Sequence, residues 1–414
     1  MYHYWKKKSG EEIKEIVFNA LDKNVKFTGL HALGVPASYL DEKVFNQDAS
    51  FLAEAPFLTT LLQNPNHIGC HTLGSSESFF SGTQQIEREL IEICAVDILK
   101  GEPQQQDGYV ASGGTEANIQ AIWVYRNYFL NEKEAKPEEI AIICSADSHY
   151  SMDKAANLLS LDIYKVPVTE NEREISEQAV TQTLVQAQGA GKKHFIVISN
   201  MMTTMFGSVD NVEAYTNVFT ANKLSFKLHI DGAYGGFYYP FLDENSLLTF
   251  KNPHISSFTL DAHKMAQAPY GTGIFLIRKG LIQHANTKQA TYVAGEDYTL
   301  IGSRSGANAI ATWMILVKNG PFGWQEKLHI LQKRTEWMCK QLSELNVGYY
   351  RNEHANIITI RSEFLTTEIA QYFGLVPDNH AQPKFYKIVV MEHVTIEKLL
   401  ELLTQMKTQL QLNP

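Results

Sequence analysis

Apolar positions in the middle of the chain fall into two kinds of run that alternate. Short, nearly continuous runs read as strands: DGYVAS (107–112), EIAIICS (139–145), HFIVISN (194–200), SFKLHIDG (225–232), SSFTLD (256–261) and GTGIFLIRKG (271–280). Between the earlier of these lie helical stretches, TEANIQAIWVYRNYFL (115–130), MDKAANLLS (152–160) and VEAYTNVFTAN (212–222). Apolar strands separated by helices predict an α/β fold, a mainly parallel sheet covered on both faces. Upstream, Ile13, Ile16, Val17 and Leu21 repeat at helical spacing, and SGTQQIERELIEICAVDILK (81–100) reads as one helix. Past residue 321 the pattern changes to a long helix (323–345), strands VGYY, NIITIR and FYKIVVM, and helices TTEIAQYFG and TIEKLLELLTQM. A chain of 414 residues exceeds what one core usually serves. The expected organisation is an N-terminal helical and extended segment (1–65), a large domain (66–320) and a small α+β C-terminal domain (321–414).

Composition narrows the function class. Apolar residues make up 44% and charged residues 20%, as in ordinary globular proteins. A net charge of -9 argues against nucleic acid or an anionic membrane as partner. No run approaches the ~18 apolar residues of a membrane span, and no apolar stretch follows MYHYWKKKSGEE, so a cytoplasmic protein is expected. Cys94 and Cys144 sit in apolar runs and read as buried, inert thiols; Cys339 pairs with no C-x-x-C partner. Cys70 lies between His67 and His71, but no third ligand is evident and no metal site is expected.

In parallel sheets ligands sit beyond the carboxyl ends of the strands, and four features stand there. Lys264 follows the strand ending in LDA; a desolvated lysine can attack an aldehyde. Asp231 ends HID, where a buried carboxylate needs a cationic or hydrogen-bonding partner. Ala233 follows with a small side chain. Ser112, Gly113, Gly114 and Thr115 form a turn between strand and helix, suited to an anion at a helix N-terminus. His149 follows the strand EIAIICS. Singly, each is also compatible with an ordinary role: a loop lysine, a capping aspartate, a common glycine turn, a satisfied histidine.

Taken in order, SGGTEAN, DSHYS, HIDGAYGGFYYPF, LDAHKM and GSRSGA resemble the group II pyridoxal-phosphate (PLP) dependent amino-acid decarboxylases. Within that group the motifs are most similar to bacterial histidine and archaeal tyrosine/aspartate decarboxylases, over roughly residues 60–400. The resemblance implies the aspartate-aminotransferase-like fold (fold type I) with a seven-stranded sheet, and a homodimer with shared active sites. It implies decarboxylation of an L-amino acid to amine and CO2 by way of an external aldimine. By motif, Lys264 would carry the Schiff base, Asp231 the pyridine nitrogen, and His149 would stack on the ring. Gly113, Gly114, Thr115 and His263 would meet the phosphate, and Asn200 the ring hydroxyl. Ser303 and Arg304 match a segment that reaches the neighbouring subunit's site, Ser303 as a cofactor contact and Arg304, like Lys387, as a candidate for the substrate carboxylate. Tyr292 matches a loop tyrosine that returns a proton to Cα. Lys387 aligns with an arginine that holds the substrate carboxylate, and His71, with His67 and Cys70, would line the substrate pocket. Met202 stands where the family carries glycine. An aminotransferase and a sphingosine-phosphate-lyase-like carbon–carbon lyase share the same machinery and are the alternative enzymes; a non-catalytic PLP-binding protein is the alternative outside catalysis.

Overall fold

The computed structural model describes residues 2–24, 48–68, 78–286 and 296–412. Seven strands, β1 (Gln106–Ala111), β2 (Ile140–Ser145), β3 (Asp162–Val166), β4 (His194–Asn200), β5 (Ser225–Asp231), β6 (Ile255–Asp261) and β7 (Gly273–Arg278), form one sheet in the order β1-β7-β6-β5-β4-β2-β3. The pairs from β3 through β6 are parallel. Strand β7 runs antiparallel to both β6 and β1, so the sheet is mixed. The reason is local: β6 and β7 are joined by residues 262–272 without a crossover helix, too short a path for a parallel return.

Alternate residues of the central strands enter opposite cores. Ile143 and Val197 join one apolar cluster with Leu90, Val110, Ile230 and Trp313. Their neighbours Ile142, Ile196 and Ile198 join a second with Ala121, Tyr125 and Phe275. The period-two geometry of a strand turns continuous apolar sequence into a sheet buried on both faces.

Helices α1 (Gly10–Asp22), α2 (Pro56–Gln63), α3 (Ser81–Glu92), α4 (Gly114–Glu132), α5 (Ser151–Leu159), α6 (Glu177–Gly189), α7 (Val212–Ala221) and the short α8 (Tyr239–Leu242) surround it. The run expected as a single helix at 81–100 divides, α3 being followed by a π-helical stretch, Ile93–Ile98. Strand β3 and helix α6 were not foreseen; β3 is a half-exposed edge strand with little apolar signal. Helix α9 (Gly306–Glu344) begins well before the expected 323 and is broken at Gly320, which has φ 64° and precedes Pro321. Beyond it, β8 (Tyr349–Tyr350), β9 (Ile357–Arg361), β10 (Val376–Pro377) and β11 (Phe385–Val389) make an antiparallel sheet ordered β10-β11-β9-β8. With α10 (Thr367–Tyr372) and α11 (Ile396–Leu412) it encloses a core of its own around Leu342, Ile358, Ile388 and Leu402.

Candidate active site

The carboxyl ends of β2, β4, β5 and β6 and the amino end of α4 meet around a cavity of about 380 Å³. Of the residues singled out by sequence, Ser112, Gly113, Gly114, Thr115, His149, Asn200, Asp231, Ala233, His263 and Lys264 all line it.

The floor is built by backbone geometry. Strand β1 delivers Ser112 and Gly113 to the first turn of α4. The Glu116 carboxylate reaches back to accept from the Ser112 N–H at 2.6 Å, fixing the turn. A Cβ on Gly114 would lie 2.7 Å from Asp261 Oδ2, so a side chain there would close the space. The positive end of a 19-residue helix thus faces the cavity.

The walls are side chains at strand ends. Asp231 is 7% exposed; its Oδ2 accepts from Asn118 Nδ2 at 3.0 Å and its Oδ1 from the Ala233 N–H at 3.1 Å. Lys264 Nζ lies 3.2 Å from Asp261 Oδ2, with His263 Nε2 3.5 Å from the same oxygen. Burial raises the Asp261 carboxyl above the usual carboxylate range, against the lowering pull of Lys264 and His263. His149 Nδ1 accepts from the Ser151 N–H at 3.2 Å and lies 2.9 Å from Ser151 Oγ. Desolvation pushes this imidazole down from its ordinary value, opposed by the Asp231 charge. Asn200 Nδ2 donates to Ser148 Oγ at 2.9 Å and to Asp210 Oδ2 at 2.8 Å. Asp210 is itself pushed up to about 7 by burial. Met202, in the glycine position of the resemblance, takes a left-handed backbone, φ 67°, which favours glycine; here the Met202 side chain is buried.

Other expectations are redirected. Arg304 does not line this cavity: it is buried, and its Nη1 donates to Glu87 Oε1 at 2.6 Å and to the Val110 carbonyl at 3.2 Å. His67 does not line this cavity either; it is fully buried, with Nδ1 2.5 Å from Glu87 Oε2 and Nε2 2.9 Å from Thr83 Oγ1. Arg304 makes an ion pair with Glu87 and the His67 ring a hydrogen bond to it, burial pulling this imidazole below its ordinary value. Ser303 is exposed and accepts from Asn66 Nδ2 at 3.2 Å, outside its own chain's cavity. Lys387 Nζ donates to the carbonyl of the cavity residue Thr204 at 2.8 Å. Burial, then the nearby Lys264 charge, lowers its ammonium from the ordinary value. Tyr292, His71 and Cys70 lie outside the described residues. Cys94 and Cys144 are buried, and burial pushes the Cys144 thiol up to about 11.

Asn118, Asp261, Tyr150, Tyr234 and Tyr270 line the cavity without having been anticipated. Asp261 ends a strand just as Asp231 does, and Asn118 stands one turn past Gly114, so both carried a readable signal.

The lining fits PLP. Helix-terminal N–H groups with the Ser112 and Thr115 hydroxyls suit a phosphate. An amine, a strand-end carboxylate and an imidazole suit an aldehyde, a pyridine nitrogen and a ring face. Asp261 Oδ1 and His263 Nδ1 are buried without a hydrogen-bond partner, and such atoms are rare unless a ligand or water completes them.

Comparison with known proteins agrees. Residues 86–347 match the family model described as the pyridoxal-dependent decarboxylase conserved domain. Over 397 residues the chain is 50% identical to a tryptophan decarboxylase of Clostridium sporogenes, covering 96% of this chain and 95% of that one. The structure of Catharanthus roseus tryptophan decarboxylase with L-tryptophan superposes with a TM-score of 0.72 at 15% identity, covering 96% of each chain. A sphingosine-1-phosphate lyase of Burkholderia pseudomallei gives 0.71 at 17% identity, covering 93% of each. At such identities the two superpositions establish a common fold. The family match and the half-identical relative go further: the chain belongs to the pyridoxal-dependent decarboxylase family and is a PLP-dependent amino-acid decarboxylase.

Proposed function

We propose that the substrate is an aromatic L-amino acid, L-tryptophan before others, and that the cavity residues divide the work as follows. The observation that carries the substrate is the 50% identity, over nearly the whole chain, to the tryptophan decarboxylase of Clostridium sporogenes. Three tyrosines on the cavity wall, Tyr150, Tyr234 and Tyr270, support it. Aromatic rings offer edge and face contacts worth about 0.5–1.5 kcal/mol per pair beyond area burial.

PLP, when bound, supplies an aldehyde and an electron-withdrawing ring that takes up the electron pair left as CO2 departs. Lys264 Nζ is the amine that would hold the aldehyde, and Asp261, 3.2 Å away, takes or returns its proton. Asp231 would keep the ring nitrogen protonated through a charge-assisted hydrogen bond, worth roughly 1.5–3 kcal/mol. His149 and Ala233 would bound the two ring faces, Asn200 would meet the ring hydroxyl, and Gly113, Gly114, Thr115 and His263 the phosphate. Lys387 would pair with the substrate carboxylate from the Thr204 side of the cavity. Tyr292, by resemblance, would return the proton to Cα. The working unit is a cytoplasmic homodimer in which Ser303 approaches the partner's site. Among the described residues no helix is long and apolar enough to cross a membrane.

The test is product analysis. Purified enzyme with PLP is offered L-tryptophan, L-phenylalanine, L-tyrosine, L-histidine, L-aspartate and L-glutamate. CO2 and tryptamine in equal amounts, with kcat/KM for tryptophan at least tenfold above the acidic substrates, is the expected result. A preference for L-aspartate or L-glutamate would overturn the aromatic assignment.

A further inference from the structure

Behind Asp231 runs a chain of buried side chains that the assignments above leave unused. Strand alternation places His229 on the same face as Asp231, and the register with β6 sets Ser257 beside His229 and Thr259 beside Asp231. Helix α4 crosses this face and contributes Asn118 and, two turns on, Tyr125. Tyr125 O–H donates to Ser257 Oγ. Ser257 Oγ is 2.6 Å from His229 Nδ1. His229 Nε2 is 2.9 Å from Asn118 Oδ1 and 3.2 Å from Thr259 Oγ1. Asn118 Nδ2 reaches both Asp231 Oδ2 and Ser151 Oγ, each at 3.0 Å.

Donor and acceptor accounting gives the chain a direction. An ionised carboxylate only accepts, so the Asn118 amide must turn its NH2 to Asp231 and its carbonyl oxygen to His229. That oxygen also only accepts, so His229 carries its proton on Nε2 and accepts on Nδ1, from Ser257. Full burial keeps His229 neutral, pushing it down to about 4. Every hydrogen bond from Tyr125 onward therefore points its positive end toward Asp231. The second Asn118 amide hydrogen goes to Ser151 Oγ, leaving the Ser151 hydroxyl hydrogen for His149 Nδ1. The Ser151 N–H also donates to His149 Nδ1 at 3.2 Å, so that nitrogen accepts and the neutral ring carries its proton on Nε2.

We propose that Asn118, held in orientation by His229, is a positioning residue that orders both Asp231 and His149 for the cofactor ring. The proposal rests on the reading that Asp231 meets the ring nitrogen. The experiment uses Asn118→Leu, His229→Leu and His229→Gln in the full chain. Apoenzyme is titrated with PLP for affinity, and 15N-labelled PLP reports protonation of the ring nitrogen. Asn118→Leu is expected to weaken PLP binding about tenfold or more, the loss of one hydrogen bond to a charged group, and His229→Leu by a smaller factor, since the bond it removes joins two neutral groups. Both should also lower the pH at which the ring nitrogen loses its proton. His229→Gln can still offer an N–H to Asn118 Oδ1 and should recover most of the affinity. Wild-type affinity and protonation in both leucine variants, or a glutamine variant no better than leucine, would overturn the relay while leaving Asp231 in place. An unprotonated ring nitrogen in the wild type would instead overturn the reading of Asp231, and the relay with it. Should the leucine variants fail to fold, Ser257→Ala, which removes the donor to His229 Nδ1, is expected to weaken PLP binding measurably; an unchanged affinity would count against the relay.

Discussion

Glu87 shows how much one buried carboxylate can organise. Its two oxygens take the Val110 N–H, the Arg304 guanidinium and the His67 ring, tying α3 to β1 and to the residues on either side of the Asn66–Ser305 bridge. Removing one partner of a buried ion pair costs roughly 3–5 kcal/mol, because the remaining charge stays buried. Arg304→Ala should therefore lower unfolding stability by that amount, read as a fall in the denaturation midpoint of the apoenzyme. Unchanged stability with a raised KM would instead return Arg304 to the substrate. The same residue shows where sequence reading stops. Lys264, Asp231 and the glycine turn were legible because each stands at or just past the end of a strand and suits a chemically demanding group. Arg304 has the same polarity, but its partner Glu87 lies far away in sequence, and only packing decides which way its guanidinium points. His229 and Asn118 were hidden for a related reason: their importance lies in what they touch, not in their residue type.

At the scale of elements, strong periodicity translated directly into structure, and the surprises are where tertiary contacts bend an element. Helix α9 breaks at Gly320, and the N-terminal segment passes through the break. The Trp5 indole donates to the Leu316 carbonyl at 2.6 Å and the Lys8 N–H to the Val317 carbonyl at 2.8 Å. The backbone N–H groups of His3, Tyr4 and Trp5 all donate to Asp97 in the π-helical stretch after α3. A Cβ on Gly320 would stand 2.5 Å from the Lys7 Cβ, at a left-handed φ. Gly320→Ala should accordingly cost about 1–3 kcal/mol, with the loss visible as faster hydrogen exchange in residues 3–8. Wild-type stability and exchange would show that the segment is not wedged there. In sequence the Gly320-Pro321 pair reads as a boundary, whereas the chain resumes the helix on its far side. The antiparallel β7 was readable in principle from the short link after Asp261, and β3 was not, since a half-exposed edge strand shows neither alternation nor a continuous apolar run.

For the whole molecule the prediction concerns assembly. Ser303 is exposed on its own chain, and Tyr150 and Tyr270 stand at the cavity with 59% and 87% of their surface exposed. A dimer that brings the Ser303 segment to the partner's cavity is expected, and sedimentation at assay concentration should give twice the chain mass of 46.7 kDa. An active monomer would rule out shared sites.

Lys264 is the proposed anchor of the cofactor within the cavity bounded by Asp231 and His149. Borohydride reduction of the holoenzyme, followed by proteolysis and mass spectrometry of the pyridoxyl-bearing peptide, tests this most directly. The modification should fall on Lys264 alone, and Lys264→Ala should yield no reduced adduct. A pyridoxyl group found on Lys387 or any other lysine would contradict it.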